Sequence, residues 1–263
     1  MTPCIDKNQV RKHFSSHAQD YDRYAQIQLK VAKQLAGQLP ASLPLCRRAL
    51  EIGCGTGMLS RQVLNRQPDL PLVLTDLAHG MSRHVQQQFP VCPVCDTDAI
   101  ALPFLAGSFD LVLSSSVYQW LNDLPGAFAE VARVLAPKGR FVVALFGEKT
   151  LYELRHAHQQ ALGNRHSHGQ SFPGLERVAD AAAGLFEIEV LRAEFEMEWH
   201  ATVPDLLRNL KRIGAQNASQ DRPQGLASRQ VMQRMFACYQ QQFGTDNGIP
   251  ATYEVIYLSG QRK

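Results

Sequence analysis

The sequence Leu50-Glu51-Ile52-Gly53-Cys54-Gly55-Thr56-Gly57 decides the fold class, because an apolar run leads directly into three glycines at alternate positions. The apolar run predicts a buried strand, and the apolar spacing over residues 59–65 predicts a helix after it. Glycine tolerates positive φ and lets a backbone approach a ligand, while the first turn of a helix offers unpaired N–H groups. The pattern therefore predicts a strand, turn and helix that bind a nucleotide-like ligand.

Strands and helices alternate along the chain on both sides of this motif. Helical spacing covers residues 7–39 with a break at 20–22, and two more helices are predicted at 80–89 and 124–135. The predicted strands are 49–52, 72–75, 91–95, 109–114, 140–146, 186–199 and 253–258. The helices predicted in the second half are 151–162, 175–183, 204–213 and 228–243. We expect an α/β fold in which a mostly parallel, seven-stranded sheet carries helices on both faces, with the last two helices inserted between strands six and seven.

Two acidic residues follow predicted strands where a ligand would lie. Asp76 ends the second strand, nineteen residues after Gly57, where a carboxylate can accept hydrogen bonds from both hydroxyls of a ribose. Asp98 and Ala99 follow the third strand, where they would meet an adenine amino group. A dinucleotide enzyme would share Asp76, but its fingerprint needs Gly or Ala at the position of Met58. The alternative is a purely structural turn with two capping acids.

Composition and charge are typical of a soluble folded protein. Of 263 residues, 45% are hydrophobic and 19% charged, which excludes a disordered or fibrous chain. The net charge of +3 is too small to indicate nucleic-acid binding by itself. The most apolar run, 141–146, is far shorter than the about 20 residues that span a membrane. The first residues lack the apolar stretch of a secretory signal, so we expect a cytoplasmic protein whose six cysteines are reduced.

Two pairs of residues are of the types that bind metals, Cys and His, but the sequence around them does not complete a metal site. Cys92 and Cys95 have the spacing of a zinc or redox pair, but no second closely spaced Cys or His pair stands near them in the sequence. His166 and His168 lie in a predicted polar loop at 163–170. We expect strand-end packing for the cysteines, a solvated loop for the histidines, and no metal.

The motifs together resemble the class I methyltransferases and, over nearly the whole chain, one narrower family. The general resemblance rests on Gly53 to Gly57, Asp76, residues 98–104, Ser108-Phe109-Asp110-Leu111-Val112 and Leu135-Ala136-Pro137-Lys138-Gly139-Arg140. The narrower one rests on residues 14–22, on 114–120, on Leu210-Lys211-Arg212-Ile213-Gly214-Ala215 and on Thr252-Tyr253-Glu254-Val255. These segments are similar to malonyl-[acyl-carrier protein] O-methyltransferase of biotin synthesis, and the stretch from Leu210 to Ala215 is the most specific of them.

The resemblance implies one methyltransferase domain over residues 1–263, with a cofactor-binding core at 46–147 and a lid from residues 1–40 and the insertion 200–245. It implies S-adenosylmethionine as cofactor, S-adenosylhomocysteine as product, a malonyl thioester on acyl-carrier protein as partner, and a monomer. The expected cofactor-binding residues are Glu51, Gly53, Gly55, Gly57, Asp76, Leu77, Met81, Asp98, Ala99 and Ser115. Glu51 also suits a ligand ammonium or sulfonium, acting through the glycine turn.

The same resemblance suggests substrate residues. Tyr21 lies in the helical break of the expected lid and could hydrogen-bond the malonyl carboxylate or the cofactor. Tyr118 and Trp120 follow the fourth strand, where side chains of this fold reach the methyl-transfer centre, although both could equally be core aromatics. Asn122 could cap the next helix or contact a ligand. We expect Tyr21 and Tyr118 to be catalytic and Trp120 to bind substrate.

Basic residues concentrate between positions 205 and 234, where six of them face two acidic ones, a net charge of +4. They are Arg208, Lys211, Arg212, Arg222, Arg229 and Arg234. This segment could be a solvated helix face or a site for an acidic partner. Because acyl-carrier proteins are generally acidic, we expect Arg208, Lys211 and Arg212 to bind the carrier.

Two other functions remain open at the level of sequence. Methyltransferases that act on quinones or on trans-aconitate share the general motifs, so another small-molecule C- or O-methyltransferase is the first alternative. The second is a protein that holds S-adenosylmethionine without catalysis, because intact Gly53, Gly55, Gly57 and Asp76 would serve either purpose.

Overall fold

The computed structural model of the protein describes residues 4–40, 46–163, 171–215, 218 and 228–263. The predicted loop histidines His166 and His168, and the predicted basic residue Arg222, lie outside the described residues.

Seven strands form one sheet, as the sequence predicts. They are β1 (Ala49–Ile52), β2 (Leu72–Asp76), β3 (Val94–Asp96), β4 (Phe109–Ser115), β5 (Leu135–Phe146), β6 (Phe186–His200) and β7 (Ile249–Arg262). Their order across the sheet is β3-β2-β1-β4-β5-β7-β6. The first five strands pair in parallel, while β7 lies antiparallel between β5 and β6.

The described residues form ten α-helices and one short 3-10 turn. The helices are α1 (Lys7–His17), α2 (Tyr21–Tyr24), α3 (Gln26–Gly37), α4 (Met58–Arg66), α5 (His79–Gln88), α6 (Leu124–Val134), α7 (Tyr152–Ala161), α8 (Leu175–Ala182), α9 (Val203–Arg212) and α10 (Arg229–Phe243). The 3-10 turn covers Tyr118–Trp120. Not one of these helices has both the length and the apolar character that a membrane crossing requires.

Strand order creates a crevice in the middle of the parallel part of the sheet. The chain builds β1, β2 and β3 outward in one direction and then returns to place β4 on the other side of β1. Helices that follow β1 and β4 therefore leave the sheet in opposite directions, and a crevice opens between their first turns at the carboxyl ends of the strands. This topology places the glycine motif after β1 at the crevice.

Apolar side chains fill both faces of the sheet. One core contains α3 and α4 and includes the buried residues Val31, Leu35 and Val63. The other core lies under α6 and α8 and includes Phe128 and Phe141. Both faces of the central strands are buried, which explains why β1 reads as a continuous apolar run with one acid, Glu51.

Two strands extend further than the apolar pattern predicts. β5 begins at Leu135 instead of residue 140. Its pairing with β4 continues across the polar residues before Arg140 by means of a register shift, and Lys138 has a positive φ there. β7 spans Ile249–Arg262 because its backbone pairs with β6 along almost its whole length. Backbone hydrogen bonds do not require apolar side chains, so hydrophobic periodicity underestimates strand ends.

The segments predicted to form a lid divide into two parts with different environments. In α1 and α2 every residue keeps part of its surface exposed, although the Tyr21 side chain is partly buried, and both helices lie over the crevice. The third helix of the same region, α3, buries Ile27, Val31 and Leu35 in the main core and packs against α4. We therefore use "lid" below for α1 and α2.

Candidate active site

One open cavity occupies the crevice at the carboxyl ends of β1, β2 and β4. It encloses about 990 Å³ of space, including the solvent at its mouth, and a space of this size accommodates a nucleoside cofactor with part of a second substrate. Most residues that the sequence predicted as ligand contacts line it, namely Tyr21, Glu51, Gly53, Gly55, Asp76, Leu77, Met81, Asp98, Ala99, Ser115 and Trp120.

The glycine turn has the left-handed backbone that the sequence predicts. Gly53, Gly55 and Gly57 all have positive φ, at 69°, 54° and 85°. A Cβ atom on Gly55 would meet no atom within 4 Å, because that side of the residue opens into the cavity. Gly57 does not line the cavity, and a Cβ there would come within 2.5 Å of the Phe89 ring. Gly57 is thus required for packing at the start of α4.

Asp76 connects the end of β2 to the glycine turn. Its Oδ2 accepts a hydrogen bond from the Gly55 N–H at 2.8 Å, and its Oδ1 accepts one from the Ala78 N–H at 2.7 Å. Burial raises the pKa of this carboxyl to about 6, although the two N–H groups favour the charged form. A carboxylate oxygen has room for a second donor, so Asp76 can hold the turn and bind ligand hydroxyls together.

Glu51 places a second carboxyl beneath the turn. The side chain is only 1% exposed, and its Oε2 accepts a hydrogen bond from the Ser60 hydroxyl at 2.6 Å. Burial raises the pKa of Glu51 to about 8, and the nearby charge of Asp76 adds to the rise. A buried acid of this kind is stabilised in its charged form by a ligand cation, which fits the predicted role beside an ammonium or sulfonium.

Asp98 lies at the β3 end of the cavity and is held by the lid. Its Oδ2 lies 2.6 Å from the Lys7 ammonium of α1, and its Oδ1 accepts a hydrogen bond from the Ile100 N–H at 3.2 Å. Ala99, the next residue, is buried and also lines the cavity. The expectation that Asp98 and Ala99 form one end of a ligand site is consistent with this placement, and Lys7 is an addition that the sequence did not suggest.

Aromatic side chains of the lid close the cavity from above. The Phe14 ring of α1 meets Trp120 edge-on, with centroids 5.5 Å apart, and lies 6.3 Å from the ring of Tyr21. The hydroxyl of Thr56 in the glycine turn donates to the Asp22 carboxylate of α2. Burial raises the pKa of Tyr21 far above its ordinary value, with Asp22 and Asp76 contributing. The Tyr21 phenol therefore stays protonated and can act as a hydrogen-bond donor.

Tyr118 does not reach the cavity, contrary to its expected catalytic role. Its side chain is fully buried in the core under α6, where the ring stacks on Phe128 with centroids 5.1 Å apart. Its hydroxyl has no hydrogen-bond partner among the described residues. Tyr118 and Trp120 belong to the same 3-10 turn, and two residues correspond to about 240° of rotation in such a turn. The turn therefore directs one aromatic residue into the core and the other into the cavity.

Asn122 does not cap α6 and does not line the cavity. The cap of α6 is Asp123, whose side chain accepts the Gly126 N–H at 2.9 Å. The Asn122 amide accepts the Ile5 N–H at 2.7 Å and donates to the Ile5 carbonyl at 2.9 Å. Asn122 thus holds the segment that leads into α1, because its side-chain amide pairs with both the N–H and the carbonyl of Ile5.

The basic residues predicted to bind a carrier are all exposed on α9, but one of them is engaged with the lid. The Arg212 guanidinium lies over the ring of Tyr24 at 4.6 Å, and Arg208 pairs with Asp205. Beside them runs a surface groove, which we call the arginine groove; it is lined by Arg23, Tyr24, Gln26, Glu198, Trp199, His200, Asp205, Arg208, Asn209 and Arg212.

The end of α9 explains the most specific sequence motif. Gly214 has a φ of 68°, and a Cβ there would lie 3.2 Å from the backbone of His13 in α1. Ile213 is buried in the main core. The stretch from Leu210 to Ala215 therefore supports the lid from behind, and we assign Ile213 and Gly214 to lid packing and not to carrier binding.

Sequence reasoning missed cavity residues of the lid, of α3 and of the turn after β4. They include Lys7, Val10, Phe14, Gln28, Ser116 and Val117. Val10 and Phe14 are visible in the helical pattern, but that pattern does not say what the apolar face covers. Ser116 has a φ of 59°, a strained backbone for a serine, and no sequence signal indicates it.

Comparison with known proteins shows which family the chain resembles. A family model described as "Methyltransferase domain" matches residues 50–143. The chain is 42% identical to Malonyl-[acyl-carrier protein] O-methyltransferase of Geobacter sulfurreducens, with 98% of this chain and 100% of that protein covered. It is 37% identical to the protein of that name from Halorhodospira halophila, with 96% and 87% covered. The chain belongs to the malonyl-[acyl-carrier protein] O-methyltransferase family.

The structural comparison confirms the fold class expected for this family. A solved structure described as a SAM-dependent methyltransferase, possible histamine N-methyltransferase, from Thermotoga maritima matches with a TM-score of 0.55. It covers 96% of this chain and 99% of that chain at 16% sequence identity. At this identity the likeness concerns the fold alone. The chain is an enzyme of the methyltransferase class on the evidence of its family.

Proposed function

We propose that the enzyme transfers a methyl group from S-adenosylmethionine to the free carboxylate of malonyl-acyl-carrier protein, as the name of its relatives states for them. The observation that carries the proposal is the cavity itself, in which the glycine turn, Asp76 and Asp98 form the floor and Tyr21 forms part of the cover. Some relatives are described as biotin biosynthesis proteins, so we place the reaction in that pathway.

The residues present fit S-adenosylmethionine. Gly55 leaves open space where a side chain would stand, and Asp76 retains acceptor capacity for the ribose hydroxyls. Asp98 and Ala99 would hold the adenine end, while Glu51 would lie near the amino-acid end through the glycine turn. When bound, this cofactor supplies a methyl group on a positively charged sulfur.

The chain does not need to supply a base. A malonyl carboxylate has an acidity near that of Asp and is ionised at neutral pH, so its oxygen is already a nucleophile. Bound S-adenosylmethionine would supply the methyl group to this oxygen and would leave as S-adenosylhomocysteine, so no protein group would have to move a proton. What remains for the protein is to align the reacting atoms and to exclude the water that weakens a carboxylate nucleophile. Phe14 and Trp120 cover the cavity and serve the second purpose.

Tyr21 is the proposed contact for the malonyl carboxylate. Its phenol stays protonated because burial raises its pKa, and a neutral donor can bind a carboxylate without neutralising it. Asp22, the next residue, accepts a hydrogen bond from Thr56, which fixes α2 against the glycine turn. Tyr21 therefore stands at a defined position over the cofactor floor.

We expect the purified enzyme to form a methyl ester on malonyl-acyl-carrier protein, and Tyr21→Phe to slow this reaction by about 10- to 150-fold. The estimate corresponds to the loss of one hydrogen bond to a charged group, about 1.5 to 3 kcal/mol. The measurement is methyl transfer by mass spectrometry together with thermal unfolding, which should be nearly unchanged.

Tyr152→Phe is the control, because Tyr152 is 44% exposed on α7 and lines neither the cavity nor the arginine groove. Parent-like rates for Tyr21→Phe would show that Tyr21 only packs. If the parent enzyme does not methylate malonyl-acyl-carrier protein, the proposed substrate is wrong. The remaining functions would then be methylation of another small molecule, such as a quinone or trans-aconitate, or binding of S-adenosylmethionine without catalysis.

The arginine groove is the proposed docking site for the acidic carrier. Arg23 of α2 and Arg208 of α9 are both largely exposed there, with 75% and 62% of their side chains accessible. Trp199 adds an aromatic surface that is 43% exposed. Because Arg212 is packed on Tyr24, we assign it to the lid as much as to the carrier. The main docking residues are then Arg208, which lines the groove, and Lys211, which is exposed on the same helix outside the groove lining.

Reversing two charges, Arg208→Glu with Lys211→Glu, should raise the KM for malonyl-acyl-carrier protein several-fold and leave cofactor affinity unchanged. Each exposed pair contributes only about 0.2 to 1 kcal/mol and is screened by salt. The control is Arg229→Glu with Arg234→Glu, which makes the same charge change on exposed positions of α10. Equal loss of activity on a malonyl thioester without carrier would contradict docking and assign the residues to the lid.

The cysteines support the expected compartment. All six are unpaired in the structure, and they are Cys4, Cys46, Cys54, Cys92, Cys95 and Cys238. Burial raises the pKa of the Cys54 thiol well above its ordinary value, so this cavity residue is a poor nucleophile at neutral pH. We propose a cytoplasmic enzyme, because thiols stay reduced in that compartment.

A further inference from the structure

The first helix crosses the mouth of the cavity as a strap fixed at both ends. We call residues 5–17 the strap. At its beginning Ile5 exchanges two hydrogen bonds with Asn122, and Lys7 pairs with Asp98. Near its end the Ser15 hydroxyl accepts the Gly80 N–H at 3.2 Å. A ligand in the cavity is therefore enclosed between the sheet and the strap.

Lys7 stands where a helix does not favour a cation. It is the first residue of α1, with Asp6 as the cap, and no acidic residue occupies the first turn. The positive end of the helix dipole disfavours an ammonium there. The Asp98 carboxylate compensates, since the two side chains meet at 2.6 Å although they are 91 residues apart in sequence. Lys7 therefore stabilises the contact with Asp98 across the cavity, and its charge does not stabilise the start of α1.

Among the described residues that line the cavity, Lys7 is the one with a positive charge, against the acids Glu51, Asp76 and Asp98. Its ammonium fixes one oxygen of Asp98, and the Ile100 N–H fixes the other. The carboxylate is thereby held in one orientation at the end of the cavity assigned to the adenine. Breaking the Lys7 contact leaves the Asp98 carboxylate with the Ile100 N–H and leaves the beginning of the strap with the Asn122 hydrogen bonds, so both are held more weakly.

We propose that Lys7 is a positioning residue that gates cofactor exchange: it orients Asp98 for the adenine amino group, and its ion pair must open before the strap releases the product cofactor. The inference rests on the proposed function, because it assumes that the adenine lies beside Asp98. The inference goes beyond the proposed function by assigning the release of the product cofactor to one ion pair. The pair is partly exposed, with 33% and 26% of the two side chains accessible, so salt weakens the gate.

The test compares Lys7→Met with Lys12→Met. Methionine keeps most of the apolar stem without the charge, and Lys12 is exposed on the same helix. The probe is S-adenosylhomocysteine, whose release is followed by stopped-flow fluorescence of Trp120 at the cavity wall. We expect Lys7→Met to speed release by about 1.5- to 5-fold, the size of a partly exposed ion pair, and Lys12→Met to match the parent. Raising salt should speed release from the parent and not from Lys7→Met.

Two further measurements distinguish a failure of the proposed gate from a failure of the proposed function. Hydrogen exchange of α1 amides in the cofactor-free protein should rise in Lys7→Met and not in Lys12→Met, whether or not the proposed cofactor is right. Asp98→Asn combined with Lys7→Met should release product no faster than the faster single variant, since both break one contact. Additive effects, or release and exchange unchanged in Lys7→Met, would overturn the gate. Absence of S-adenosylhomocysteine binding by the parent would instead contradict the proposed function.

Discussion

Replacing Gly55 with valine should lower cofactor affinity by about 100-fold or more while the protein still folds. Gly55 is the one glycine of the turn whose missing side chain faces open cavity, with no atom within 4 Å of a built Cβ. A valine there would occupy the space that the cofactor needs, and overpacking against a rigid ligand costs about 3 kcal/mol at the upper end of its range. Isothermal titration with S-adenosylhomocysteine measures the change.

Gly107→Val is the matched control for Gly55→Val. Gly107 also has a positive φ, 69°, and a Cβ there would likewise meet nothing within 4 Å, but it lies outside the cavity. Both variants carry the backbone strain of a branched residue in the left-handed region, about 1 to 3 kcal/mol. They should therefore lose similar thermal stability, and only Gly55→Val should lose binding. Equal binding by both variants would remove the glycine turn from the cofactor site.

Asp76→Ala should weaken cofactor binding by about 10- to 150-fold and also lower thermal stability. The first effect is the loss of charge-assisted hydrogen bonds worth about 1.5 to 3 kcal/mol. The second follows because the same carboxylate holds the N–H groups of Gly55 and Ala78. Asp76→Asn keeps an acceptor without the charge, so it should bind more tightly than Asp76→Ala and less tightly than the parent.

The pH dependence of binding provides an independent check on Asp76. Burial raises the pKa of Asp76 from 3.8 to about 6. Between pH 3.8 and about 6, Asp76 is therefore protonated in the folded, cofactor-free protein and ionised in the unfolded chain. Stability from this group is full below about pH 4 and is lost as the pH rises through about 6. Cofactor binding has the opposite trend, because the ribose contact needs the carboxylate, and affinity should fall as the pH drops through about 6.

Asp96→Asn tests one contribution to that midpoint, which adds to the larger effect of burial. Asp96 lies in register with Asp76 on the neighbouring strand, outside the cavity, and its charge raises the pKa of Asp76. The variant should leave affinity at pH 7 unchanged and move the midpoint to lower pH. A midpoint near 6 that persists in Asp76→Asn would assign the titration to another group, with Glu51 as the first candidate because burial raises its pKa to about 8.

Local sequence determined the floor of the site. The glycine motif, Asp76 and Asp98 each follow an apolar run that forms a strand, and parallel strands bring their carboxyl ends to one edge of the sheet. No long-range information is needed for that inference, because strand direction and the strand-to-helix turn fix where the next residues lie. The fold class and the insertion of α9 and α10 before β7 followed from the same periodicity.

Only the tertiary structure decided which residues cover that floor. Tyr118 and Trp120 are two positions apart, yet the turn sends one into the core and the other into the cavity. Arg212 meets Tyr24, and Lys7 meets Asp98, across separations that no local pattern encodes. Hydrophobic spacing shows that a helix has an apolar face, but the partner of that face depends on how distant elements pack. The lid, its ion pair and the arginine groove therefore came from the fold and not from the sequence pattern.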